Sequence, residues 1–81
     1  MNKVELANDS NTPPKVLEQL ANDESSIVRL PVAENPNTPP KILEQLANDK
    51  EWEVRYCVAR NLNTPHYLKK YLKIQDHMAL L

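Results

Sequence analysis

The sequence contains no glycine and only one cysteine, Cys57, among 81 residues. Without glycine, no loop can fold its backbone amides closely around a phosphate, so no nucleotide-binding motif is expected. A lone cysteine excludes an internal disulfide and any cysteine-rich zinc or iron–sulfur centre, and it fits a reducing compartment. No apolar run approaches the roughly 18 residues of a membrane span. Asn2, Glu5 and Asp9 stand where a signal peptide needs an apolar core. With a net charge of −1, no overall field draws the chain to DNA or to an anionic membrane. The expectation is a cytoplasmic protein with no cofactor and no membrane contact.

What the chain does have is seven prolines and nine asparagines. Proline without glycine implies short, stiff connections. Where glycine is missing, asparagine is the next least costly residue in the left-handed conformation that often ends a helix. Many helix boundaries of one repeated design are therefore expected.

That design is visible directly. Asn11-Thr12-Pro13-Pro14-Lys15 returns as Asn37-Thr38-Pro39-Pro40-Lys41, and Asn63-Thr64-Pro65 opens a third copy. Residues 11–36 and 37–62 share 17 identities over 26 positions, far more than chance provides. Upstream, Lys3, Ala7 and Asn11 fall in register with Arg29, Ala33 and Asn37. The expected layout is a single repeat domain over 1–81: a partial repeat at 1–10, repeats at 11–36 and 37–62, and a divergent C-terminal helix at 63–81.

Each unit reads as two helices. Thr12 and Thr38 are placed to cap the first helix through their hydroxyls, with prolines at its first two positions. Val16, Leu17, Leu20 and Ala21 form one apolar face, repeated by Ile42, Leu43, Leu46 and Ala47. Asn22 and Asn48 are the expected stops, and Asp23 and Asp49 the caps of the next helix. Val28, Val32 and Ala33, matched by Val54, Val58 and Ala59, mark the second helix. Pro31 inside it removes one hydrogen bond, so a kink or a 3₁₀ stretch is expected there. No single helix can bury its stripe alone, whereas stacked pairs make a continuous core. The predicted fold is all-α: a short α-solenoid of 26-residue helix pairs.

Val28-Arg29, Val32-Ala33-Glu34-Asn35-Pro36-Asn37-Thr38-Pro39-Pro40, Leu43, Leu46-Ala47 and Asp49 resemble the leucine-rich repeat variant family, a relative of HEAT-like repeats. The pattern returns in Val54-Arg55, Val58-Ala59-Arg60-Asn61 and Asn63-Thr64-Pro65, and covers residues 4–68. The resemblance implies alternating α and short α or 3₁₀ helices in a right-handed superhelix, used as an interaction scaffold without enzymatic activity. Some members carry a cysteine-rich iron–sulfur module, which Cys57 alone cannot supply.

Two readings are open for Arg29 and Arg55. As equivalent residues they could form a basic ladder that reads an acidic partner. Equally, they could cap helix ends or pair with Asp23 and Asp49 to hold the stack. All four aromatic residues fall in the later half, where Trp52, Arg55, Tyr56, Arg60, His66, Tyr67 and Tyr71 make a candidate partner-binding set. The plainer reading is that these bulky residues cover the open end of a short core. Single-stranded nucleic acid is the alternative ligand, through Arg55, Arg60, Lys69, Lys70 and Lys73. Residues 51–81 hold five Lys or Arg against three Asp or Glu, an excess too small to favour it. In the last helix Leu68 and Leu72 keep core positions, while Tyr67, Tyr71, Ile74, Met78 and Leu81 form a second stripe. Ile74, Met78 and Leu81 are candidates either to cap the stack or to pair two chains into a homodimer.

Catalytic residues are lacking. His66 and His77 are eleven positions apart with no cysteine or carboxylate at ligand spacing, so no metal site is expected. Cys57 reads as a small core residue, and Ser10, Ser25 and Ser26 as helix-junction residues. The expected function is a non-enzymatic protein-interaction or scaffold module, standing alone or as part of a longer array.

Overall fold

The computed structural model describes residues 1–72 and is all-helical over that range. Five helices, α1 (Lys3–Asn8), α2 (Pro14–Leu20), α3 (Ser26–Glu34), α4 (Pro40–Leu46) and α5 (Trp52–Arg60), are followed by a helical stretch at 66–72. None of the described helices is long and apolar enough to cross a membrane.

Two layers result. α3 packs extensively against α1 before it and α5 after it, while α2 and α4 contribute the other layer and barely touch each other. A groove lined by Pro14, Lys15, Pro39 and Ile42 opens between α2 and α4. Between the layers lies one continuous core containing Leu17, Leu20, Val32, Leu43, Leu46, Val54, Val58, Leu68 and Leu72. Every leucine and valine in it recurs at the repeat period or pairs with an equivalent, which is how a solenoid grows from short helices. The predicted short α-solenoid is the observed architecture.

The helix boundaries are built differently from expectation. Thr12, Thr38 and Thr64 are buried and do not cap the helices that follow. Their hydroxyls donate to the carbonyls of Leu6, Val32 and Val58, each at 2.6 Å, closing the end of the preceding helix. The N-caps are Pro13 and Pro39, in extended conformation with no side-chain bond, and Pro14 and Pro40 begin the helices. A fully buried threonine has no water for its hydroxyl, so the nearest orphan carbonyl sets its role.

Asn22 and Asn48 are not left-handed stops either. No described residue has a positive φ, and α2 and α4 run out through Ala21 and Ala47 in right-handed geometry. Asp23 and Asp49 cap no helix. Their Oδ1 atoms accept from the backbone N–H groups of Ser25 and Glu51, folding Asx turns at 2.9 Å. α3 is capped by Ser25, whose hydroxyl accepts from the Ile27 N–H.

Pro31 does not break its helix. α3 is α-helical over nine residues, as long as α5, which has Cys57 at the matching position. No 3₁₀ segment occurs among the described residues. The proline removes one bond of a short helix, and its ring is buried in the packed layer, which offsets the loss.

Candidate functional site

Arginine and asparagine rows run along the stack before any surface is reached. Arg29 is buried, and its Nε and Nη2 donate to the two carboxylate oxygens of Asp49 at 2.7 and 3.1 Å. Its Nη1 donates to the Asp23 and Glu24 carbonyls at 2.8 and 2.9 Å. One side chain thus binds the turn of its own repeat to the turn of the next. Burial by itself would raise the Asp49 carboxyl. Hydrogen bonds from Arg29 and the Glu51 N–H, with the charges of Arg29 and Arg55, outweigh it and hold Asp49 below the usual carboxylate range. Arg55 repeats the inner half of the arrangement, donating from Nη1 to the Asp49 carbonyl at 2.7 Å. One repeat earlier, Lys3 pairs with Asp23 at 2.8 Å on the exposed edge. The arginine row is a stacking device: Arg29 is spent within the fold, and Arg55 is half-buried beside it.

The asparagine row was not anticipated. Asn61 Nδ2 donates to the carbonyls of Ala33 and Asn35 at 2.8 and 2.9 Å, while its Oδ1 accepts from the Asn63 N–H at 2.8 Å. Asn35 does the same one repeat earlier, to Ala7 and Asp9, both at 2.9 Å. A neutral amide can donate two N–H groups back to the preceding repeat while its oxygen accepts from the backbone just ahead. Recurrence of asparagine at 35 and 61 was the available signal, but it fitted a helix stop equally well.

The exposed residues divide into separate groups. On α5, Trp52, Tyr56 and Arg60 follow at helical spacing and form a stack. The Trp52 and Tyr56 rings meet edge to face, 6.3 Å apart at 73°. The Arg60 guanidinium lies 5.6 Å from the Tyr56 ring centre, and its Nη1 donates to the Tyr56 hydroxyl at 3.0 Å. Trp52 is 60% exposed and Tyr56 46%, so neither ring serves to close the core. Beside them a depression of about 240 Å³ is lined by Glu34, Tyr56, Cys57, Arg60 and Asn61. Burial, and then the charge of Glu34, push the half-buried Cys57 thiol up, so it is a poor nucleophile.

Tyr67 belongs to the other layer. Its hydroxyl donates to Glu44 on α4 at 2.7 Å, an exposed contact that raises the phenol above its ordinary value. His66 and Tyr71 are exposed on the same helical stretch, whereas Leu68 and Leu72 are buried as expected. The candidate set therefore gathers as Trp52–Tyr56–Arg60, with Arg55 turned into the stack and Tyr67 tied to α4. Ile74, Met78 and Leu81 lie outside the described residues.

A stack of short helix pairs, joined by repeat-to-repeat polar rows, defines an α-helical repeat protein. Residues 28–51 match the model of the leucine rich repeat variant and residues 40–64 that of the HEAT repeat, the two kinds of repeat the sequence resembles. No curated protein and no solved structure matches the chain.

Proposed function

We propose that the chain is a non-enzymatic protein-interaction module whose contact surface is centred on α5. The supporting observation is the Trp52–Tyr56–Arg60 stack: two large rings and a guanidinium, exposed yet already held in one geometry by mutual contacts. Aromatic residues and arginine dominate the energetics of interfaces, and fixing them before binding reduces the entropy lost on association. The repeat types matched by residues 28–64 are typically scaffolds of this kind.

The nucleic-acid alternative draws less support. Arg55 is engaged with the Asp49 carbonyl and Lys69 is half-buried, which leaves Arg60 and Lys70 as fully exposed cations of that set among the described residues.

Proximity crosslinking in cells tests the reading. A variant carrying Trp52→Ala, Tyr56→Ala and Arg60→Ala, verified as folded by circular dichroism, should lose the crosslinked protein partners of the parent chain. An unchanged set of partners rejects the surface.

A further inference from the structure

The α5 stack is one end of a wider face. Val4, Leu30 and Tyr56 occupy one position of successive repeats, each 26 residues on, on three helices that pack side by side. Val4 and Leu30 are half-buried and Tyr56 is exposed, while Ile27 beside them is 70% exposed. An apolar row thus crosses the α1–α3–α5 layer and ends at the Trp52 ring. Its exposed charge outside ion pairs is mostly negative, with Arg60 as the exception. Glu5, Glu34 and Glu53 are exposed on these helices, and none lies within ion-pair distance of a cation among the described residues. Lys3 and Arg29 are paired with Asp23 and Asp49, Arg55 is half-buried against a backbone carbonyl, and Arg60, bonded to the neutral Tyr56 hydroxyl, is the exposed cation that faces these carboxylates.

Resting on the interaction reading above, we propose that this face docks an amphipathic basic segment of a partner protein. Apolar side chains of the segment lie along Leu30 and Tyr56. Its lysines or arginines meet Glu34, at the rim of the depression beside Tyr56, and Glu53, one turn before Tyr56 on α5. Trp52 adds to the same preference, because its ring face attracts a cation, whereas Tyr56 already holds Arg60. Carboxylates and an open indole both select positive charge and reject phosphates, so a peptide fits where a nucleic acid or an anionic lipid does not.

Trp52 is the only tryptophan and reports directly on the face. The probes are two helical peptides of the same pattern, one of leucine and lysine, the other of leucine and glutamate. The leucine–lysine peptide should give a saturable blue shift of Trp52 emission, with affinity about tenfold higher than its acidic counterpart and falling as salt is added. Glu34→Gln with Glu53→Gln should weaken it about tenfold and reduce the salt dependence, and Tyr56→Ala should weaken both peptides. Equal or tighter binding of the acidic peptide overturns the partner chemistry but leaves the interaction surface standing. Absence of any shift with the lysine peptide overturns the proposal, and the crosslinking experiment then decides the surface separately. A shift unaffected by the glutamine substitutions also overturns it.

Discussion

Arg29 and Asp49 stand twenty positions apart in the chain and meet through two N–H···O contacts, which bind the turn of one repeat to that of the next. Both side chains are more than nine-tenths shielded from water. Removing one partner leaves the other charge without compensation, so Asp49→Ala should cost about 3 kcal/mol or more in chemical denaturation. Arg29→Lys keeps the charge but loses the planar fork and the two carbonyl contacts, and should recover only part of the stability. A variant as stable as the parent would mean the pair contributes nothing to stacking.

Asp49 also makes stability depend on pH. Its carboxyl titrates below the ordinary 3.8 in the fold and near that value in the unfolded chain. A depressed folded pKa contributes stability that is complete above the unfolded value and is lost as pH falls through the folded one. Thermal melts from about pH 5 down to about pH 2 should therefore show a smaller loss for Asp49→Asn than for the parent. Parallel slopes would remove Asp49 from the list of responsible groups.

Asn61 satisfies three buried or half-buried backbone groups with one amide. Asn61→Asp replaces a donor by a carboxylate facing the Ala33 and Asn35 carbonyls. It should destabilise more than Asn61→Ala, which leaves those acceptors unpaired at about 1–3 kcal/mol each. Had the residue been a left-handed helix stop, glycine would be the best replacement; here Asn61→Gly should be no better than alanine. Urea unfolding of the three variants gives the order.

Thr38 separates two local readings. As a helix N-cap it would tolerate serine, asparagine or aspartate. As a fully buried donor to the Val32 carbonyl it tolerates serine best, while Thr38→Val should cost about 1–3 kcal/mol despite its matching shape. Thr38→Asp should be worse still, since it buries a charge. An aspartate variant that melts like the parent contradicts the observed bond.

Leu46, almost wholly buried in the core, sets the scale for packing. Leu46→Ala should lower stability by about 2–5 kcal/mol, comparable to the whole stability of a chain this small. Circular dichroism melts would register it as a partly unfolded protein at ambient temperature.

By themselves, the residues determined the all-α class, the helix pairs and the buried stripe, because apolar spacing and a 26-residue echo are properties of the string. They also singled out Trp52, Tyr56 and Arg60 as candidates. Polar roles were another matter. Thr38 as cap or donor, the bridge that Asn61 makes beyond its place at the end of α5, and Arg29 as ligand or lock each depend on which carbonyl or carboxylate lies nearby once repeats are stacked. Those partners come from another turn or repeat, up to 28 positions away. Pro31 produces no 3₁₀ stretch for a related reason: a helix rule counts the lost bond, while only packing reveals the buried ring. A periodic apolar pattern needs no partner to be read, but a hydrogen bond is defined by both ends, and the second end is supplied by the tertiary structure.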